Sequence, residues 1–268
     1  ITDGHLAEWD KAFRDWGEAI RINPKYFTAY ASRGEAYQFK RLWDEAISDY
    51  DEAVQLEPEN GKIYCQRGNC YFQKRDFDKA LADYNRAVAN DPHLDEAYCQ
   101  RGNIFLQKDE LDKAIENFTE AVQLNPNNAF AYYERGNTWF LKGNLDQALN
   151  DYDCVIRLKP QVAKGYYRRA RVNQRKGNLD KALADYNEAV RLDPNIGEVY
   201  ARRASAYRQN GDFKKAVEDY EHAIQLDSKL SFAHNNLACL LATCPAPSIR
   251  NGEKAGPLSR KACELTGW

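Results

Sequence analysis

Residues 95–128 read DEAYCQRGNIFLQKDELDKAIENFTEAVQLNPNN. Ala97, Tyr98, Ile104 and Phe105 fall at the spacing of one apolar helix face. Asp109–Leu111 forms a short polar turn, and Ala114, Ile115, Phe118, Ala121, Val122 and Leu124 make a second amphipathic stripe. Asn125-Pro126-Asn127 ends it, because proline has no N–H to donate and biases its predecessor away from the helical region. The stretch predicts two helices joined by a turn.

Moving outward, the same punctuation recurs. Pro24, Pro58, Pro92, Pro126, Pro160 and Pro194 are separated by 34 residues each. Ala46, Ala80, Ala114, Ala148, Ala182 and Ala216 keep the same interval, as do Tyr50, Tyr84, Phe118, Tyr152, Tyr186 and Tyr220. Gly34, Gly68, Gly102 and Gly136 are continued by Ala170, Ala204 and Ala238, small residues that let two helices approach closely. A fixed period of this length marks a repeat array rather than a set of unrelated domains.

The pattern resembles the tetratricopeptide repeat family. In residues 61–94 the family's aromatic, small, aromatic, Ala, aromatic, Ala and Pro positions are Tyr64, Gly68, Tyr71, Ala80, Tyr84, Ala87 and Pro92. The resemblance implies an all-α fold, an α-solenoid wound as a right-handed superhelix of stacked antiparallel helix pairs. Six repeats are expected over 27–230, with a partial repeat in 1–26 and a divergent closing repeat in 231–268. The related pentatricopeptide RNA readers fit less well, since their period and residue pattern differ. The closing run NNLACLLATCPAPSIRNGEKA, followed by KACELTGW, resembles a terminal repeat variant of bacterial multi-repeat proteins; Gly256-Pro257 is expected to break its second helix or to restart it at Pro257.

Composition narrows the function classes. The 268 residues carry 38 basic and 40 acidic side chains, a net charge of −2 that argues against a general polyanion binder. Leu237–Cys244 is the longest nearly unbroken apolar stretch, too short to span a bilayer. Seven cysteines without a CxxC pair predict neither a disulfide framework nor zinc, and with no N-terminal signal pattern they point to a reducing, cytoplasmic setting. No phosphate loop, HExxH, GxSxG or ordered catalytic set occurs, so neither an enzyme nor a cofactor is expected. The absence of Met, including at Ile1, raises the expectation of a fragment or processed product.

Two periodic features call for separate readings. Arg33, Arg67, Arg101, Arg135, Arg169 and Arg203 precede the small residue, and the second helices carry Asp49, Asp83, Asp151, Asp185 and Asp219 at a fixed offset, with Asn117 in the remaining repeat. A half-buried guanidinium requires a carboxylate, so these are expected to pair within each repeat rather than to bind a polyanion. Second, the family resemblance places the first helices on a concave face that holds extended partners. There, one register reads Asn69, Asn103, Asn137, Arg171, Ser205 and Cys239. A carboxamide offers both donor and acceptor to a peptide unit, so the three Asn are candidate rungs of a peptide-binding ladder, the alternative being solvated polar residues.

Lys164, Arg168, Arg171, Arg175 and Lys176 concentrate positive charge beside this ladder, extended by Arg202 and Arg208, whereas earlier repeats place Glu35, Glu96 and Glu134 there. An acidic segment or a C-terminal carboxylate is the expected ligand. Phe130, Tyr133, Phe140 and Tyr167 are candidate apolar anchors, and Cys65 and Cys99 candidate accessible thiols. Asn103, Asn137 and Arg171 match the Asn–Asn–Arg progression of the carboxylate clamp in chaperone-binding relatives, but Cys99 and Tyr167 stand where that clamp has basic residues. The expected function is a non-enzymatic scaffold for a protein or peptide partner. The alternatives are the recognition arm of a larger enzyme and nucleic-acid binding through residues 164–208. Trp9 and Trp16, in a repeat lacking its first helix, add an expectation of end-to-end self-association.

Overall fold

A computed structural model describes residues 3–267, with side-chain surroundings from Trp9 onward. Ile1, which motivates the fragment expectation, and Trp268, which closes the C-terminal run, lie outside the described residues. The described residues form helices and no strand: α1 (Asp3–Ile22), α2 (Phe27–Phe39), α3 (Trp43–Leu56), α4 (Gly61–Gln73), α5 (Phe77–Asn90), α6 (Asp95–Gln107), α7 (Leu111–Leu124), α8 (Ala129–Lys142), α9 (Leu145–Leu158), α10 (Ala163–Arg175), α11 (Leu179–Leu192), α12 (Gly197–Gln209), α13 (Phe213–Leu226), α14 (Ser231–Thr243) and α15 (Gly252–Thr266). The chain divides into two compact units, one ending at Ala131 and one beginning at Tyr132. Within the first, α2 packs on α3, α4 on α5 and α6 on α7; within the second, α10 packs on α11, α12 on α13 and α14 on α15. Within each unit a second helix also touches the first helix of the following repeat: α3 on α4 and α5 on α6 in the first, α9 on α10, α11 on α12 and α13 on α14 in the second. The fold is an all-α solenoid.

The helix ends follow from local chemistry. The first helices α2, α4, α6, α8, α10 and α12 each close with a left-handed residue and a pair of backbone bonds, whereas α14 ends at Cys244 in an extended conformation. After α4, Asp76 N–H donates to Tyr71 O and Arg75 N–H to Phe72 O, both at 2.9 Å. This arrangement satisfies carbonyls that the helix would otherwise leave unpaired. The left-handed position is Arg41, Arg75 or Asp109 in the first unit and Gly143, Gly177 or Gly211 in the second. Asp76 and Asn144 then cap the next helix through their side chains, accepting from Lys79 N–H and Gln147 N–H.

Close packing sets the interior. A Cβ added at Gly68 would lie 2.8 Å from Tyr84 Cε1, and one at Gly102 2.8 Å from Phe118 Cε1. The second-helix aromatics Tyr50, Tyr84, Phe118, Tyr152, Tyr186 and Tyr220 are all buried. At α1, the Trp9 ring stacks on Phe39 at 5.4 Å and Phe13 lies 4.7 Å from Tyr37.

The expected Arg–Asp pairing is present, and it reaches further than one repeat. Arg67 holds Asp83 with Nε and one amino group at 2.8 and 2.7 Å, and its other amino group reaches Asp51 on the preceding second helix at 2.7 Å. Arg169 repeats this with Asp185 and Asp153. Arg67 and Arg169 therefore each tie together three helices. An outer row of lysine–aspartate pairs, Lys74–Asp44, Lys108–Asp78 and Lys176–Asp146, also links successive repeats. These outer pairs are exposed and contribute at most about 1 kcal/mol each.

One boundary expectation is corrected. The last helix neither breaks at Gly256-Pro257 nor starts at Pro257: α15 runs through it from Gly252. The Asn251 side chain accepts from Lys254 N–H at 3.0 Å and fixes the start. Pro257 then removes only one backbone bond, in the second turn, which the surrounding helix tolerates.

Candidate peptide-binding faces

In the first unit the exposed side of the first helices is rich in carboxamides. Glu35, Gln38, Phe39, Trp43, Gln66, Asn69, Phe72, Gln73 and Gln100 line a cleft of about 440 Å³. Asn69 is already engaged there. Its Oδ1 accepts from the Tyr84 hydroxyl at 2.8 Å and its Nδ2 donates to Glu96 Oε1 at 3.1 Å. Asn137 in the second unit is engaged in the same way, accepting from Tyr152 at 2.8 Å and donating to Glu134 at 3.2 Å. Burial raises the Glu134 carboxyl above its ordinary range, an effect opposed by that hydrogen bond and by Arg168 and Lys164.

These contacts change the meaning of the ladder. A buried tyrosine hydroxyl without a partner costs ~1–3 kcal/mol, and in the repeats of Tyr50, Tyr84, Tyr152 and Tyr186 an acceptor is supplied. Where the ladder register is Glu35 or Arg171, the acceptor is instead Gln38 for Tyr50 at 2.9 Å or Gln174 for Tyr186 at 2.8 Å, one turn along. Where the register is Asn, that next-turn position is apolar: Phe72, Leu106 and Phe140. This alternation is visible in the sequence and identifies Asn69 and Asn137 as structural acceptors. Asn103 is the exception. It faces Phe118, which has no hydroxyl, and its only hydrogen bond among the described residues donates to Gln100 Oε1 at 3.0 Å.

The second unit presents a cationic face. On α10, Arg168 Nε donates to the Tyr133 hydroxyl at 2.9 Å and its guanidinium lies 5.7 Å from both the Tyr133 and Tyr167 rings. Arg171 sits 5.1 Å from the Phe140 ring, and Arg175 lies 5.3 Å from the same ring. Among the described residues none of these three makes an ion pair with a carboxylate. Arg175 also donates to the Phe140 carbonyl at 3.4 Å, and the aromatic faces hold the guanidinium groups through cation–π attraction while the remaining donors of all three make no hydrogen bond among the described residues. Lys164 is exposed and Arg208 half-buried. Arg202 is more committed, lying 4.3 Å from the Phe232 ring and 3.7 Å from Glu198. Lys176 is not part of this face, because it pairs with Asp146.

Three anchor and thiol expectations need correction or refinement. Tyr167 is 8% exposed: its ring packs near Tyr186, and its hydroxyl donates to Glu198 Oε1 at 2.5 Å. Burial and that bond together push its pKa up to about 12, so it serves as a wall of the face, not a free anchor. Cys65 and Cys99 are buried, not accessible, because their register faces the adjacent repeat; Cys65 packs with Ala97 and Ile104, and burial drives its thiol pKa upward. Phe130 is 47% exposed at the start of α8, and Tyr133 is half-buried.

Profiles of the tetratricopeptide repeat match residues 27–60, 61–94, 129–162, 163–196 and 197–230, and a TPR repeat profile matches 102–143. This chain belongs to the tetratricopeptide repeat family. Tetratricopeptide repeats act as protein–protein interaction scaffolds and are generally non-enzymatic, so this repeat protein is an interaction scaffold with protein or peptide partners. Its fold is similar to that of YrrB, described as a TPR protein with an unusual peptide-binding site, at 21% identity and a TM-score of 0.61 over 69% of this chain and 95% of YrrB. It is similar to MamA at 27% identity and a TM-score of 0.59, covering 64% of this chain and 94% of that one. The C-terminal part of a TPR repeat-containing protein from Cytophaga hutchinsonii matches at 20% identity and a TM-score of 0.67, over 88% and 95% of the two chains. No curated protein matches the sequence significantly. No described helix is long and apolar enough to cross a membrane.

Proposed function

We propose that this tetratricopeptide repeat protein binds an extended acidic segment of a protein partner on the α10 face of its second unit. The observation that carries this reading is the set Arg168, Arg171 and Arg175, three guanidinium groups on one helix face, set against Tyr133, Tyr167 and Phe140 and without carboxylate partners among the described residues. Spaced by three and four residues, they offer charge at intervals of roughly 5–6 Å along the helix. Lys164, Arg202 and Arg208 extend the positive field. On the first unit taken by itself, Asn103 is the rung with an uncommitted amide oxygen and is the carboxamide assigned to a peptide backbone there. Asn69 and Asn137 contribute mainly by holding the tyrosines behind them.

The test is fluorescence anisotropy with a labelled oligoglutamate peptide. Wild type should bind, and Arg171→Ala and Arg175→Ala should each weaken binding by roughly tenfold or more, with a steep loss as salt rises. Equal affinity in wild type and the Asn103→Ala/Asn137→Ala/Arg171→Ala triple variant sinks the proposal. Tighter binding of an RNA oligomer than of the peptide would transfer the face to nucleic acid. We also assign the exposed Phe39 (72% exposed), with Trp9 stacked on it, to a self-association edge. Light scattering that shows a monomer at every concentration would remove that assignment.

A further inference from the structure

The arginine row has one defective member. Arg33, Arg67, Arg135, Arg169 and Arg203 each hold a second-helix carboxylate, from Asp49, Asp83, Asp151, Asp185 and Asp219. Arg101 does not. Its Nε donates to Asn117 Oδ1 at 2.5 Å and one amino group to Asn85 Oδ1 at 3.2 Å. Both partners are neutral amides, standing where Asp83 and Asp51 surround Arg67 and where Asp185 and Asp153 surround Arg169. The second amino group, which closes the bidentate pair in the other repeats, has no acceptor at Arg101 among the described residues. The Tyr98 ring lies 5.2 Å from the guanidinium on one side. Burial lowers the Arg101 pKa from its ordinary value, whereas Arg67 and Arg169, with their carboxylates, are raised.

The equivalent place at Arg169 is an open cleft of about 420 Å³ lined by Asp153, Asn173, Lys181 and Asp185. Two repeats earlier the lysine is kept, as Lys113, and both carboxylates are replaced by amides. Lys113 rests 5.4 Å from the Phe105 ring and pairs with Glu110, the acid at that rim, at 2.5 Å. Across the two sites carboxylates are lost at Asn85 and Asn117 and gained at Glu110 and Glu116, which stand where the later repeat has Asn178 and Ala184, so the total charge is unchanged while Arg101 itself has no carboxylate partner among the described residues. A half-buried guanidinium in that state favours a bidentate oxyanion over water.

We propose that Arg101, Asn85, Asn117 and Lys113 form an oxyanion site between α5 and α7, taking a phosphate group in the place that a second-helix carboxylate fills in the other repeats. Asn117 and Asn85 keep the guanidinium oriented, and the free amino group of Arg101 provides the leading contact. The phosphate is either the free ion or a phosphorylated side chain of a bound protein. The site lies on the second-helix side and does not depend on the acidic-peptide reading of α10.

The experiment uses the full chain and follows the Arg101 Nε–H resonance in 15N-labelled protein during titration with inorganic phosphate, at constant ionic strength, and separately with a phosphoserine peptide. Thermal unfolding is measured in parallel for wild type and Asn117→Asp, which installs the missing carboxylate. Wild type should show a saturating shift and a phosphate-dependent rise in melting temperature. Asn117→Asp should melt higher without phosphate and bind it at least tenfold more weakly. A stronger response to the peptide assigns the site to a partner's phosphorylated residue, and a stronger response to the ion assigns it to free phosphate. An unshifted Nε–H, or equal phosphate dependence in wild type and Asn117→Asp, overturns the proposal.

Discussion

The repeats before Ala131 and those after Tyr132 solve the same packing problem with different residues. The first unit places Arg41, Arg75 and Asp109 in the left-handed position after its first helices, whereas the second uses Gly143, Gly177 and Gly211. The first unit puts Gly34, Gly68 and Gly102 against the second-helix aromatic ring; the second begins with Gly136 and then admits Ala170 and Ala204. The exposed side of the first helices is rich in carboxamides in the first unit and in arginine in the second. Repeat identity at the level of fold is therefore compatible with strain in one place being exchanged for strain in another. What remains free to diverge is the side chain that faces outward.

Exchanging residues between the two units tests how far this holds. The largest effect is expected at the helix crossing. Gly68→Ala forces a methyl group to 2.8 Å from a fully buried tyrosine ring and should cost ~2–3 kcal/mol in urea unfolding, while Ala204→Gly should cost only ~1 kcal/mol from helix propensity and lost contact. Equal costs would mean that the ring moves freely. Next comes the ladder. Asn137→Leu strands the Tyr152 hydroxyl and should cost ~1–3 kcal/mol, whereas Asn103→Leu, opposite Phe118, should stay within ~0.5 kcal/mol. Phe118→Tyr should erase that contrast by giving Asn103 a hydroxyl to accept, which double-mutant cycles would read directly. The smallest change is at the turns. Arg75→Gly should stabilise by up to ~1 kcal/mol and Gly177→Ala destabilise by ~1 kcal/mol, measured as opposite shifts in the urea midpoint.

Much of the architecture was legible in the linear text because a repeat writes each contact several times. The interval between Pro92 and Pro126, the small residue at Gly68 and Gly102, and the offset between Arg67 and Asp83 each state one local rule, and repetition separates rule from accident. Features that involve neighbouring repeats were harder to read. Cys65 and Cys99 share the helix that carries the candidate face, yet their side chains turn into the next repeat, and only the angle between successive pairs decides that. Tyr167 was misplaced for the same reason, since its hydroxyl partner Glu198 lies 31 positions away. The commitment of Asn69 and Asn137 to tyrosine was available as the alternation between Asn followed by an apolar residue and Glu or Arg followed by Gln. Pro257 misled because a lone proline in an early turn removes one bond, too little to stop a helix already started by a good cap.

The three-helix grip of Arg67 and Arg101 also governs how the first unit comes apart. A stack in which every repeat touches only its neighbours behaves as a one-dimensional chain of couplings, and its weakest joint sets where partial opening begins. Arg67 and Arg169 are each held between two carboxylates and Arg203 between Asp219 and Asn187, whereas the joint that joins α5 to α7 through Arg101 is riveted only by neutral amides. Fraying from the α1 end would therefore tend to stop or restart there, and an anion seated on Arg101 would act as a removable pin. In a molecule whose remaining rivets are built in, that would make one seam in the zipper adjustable from outside.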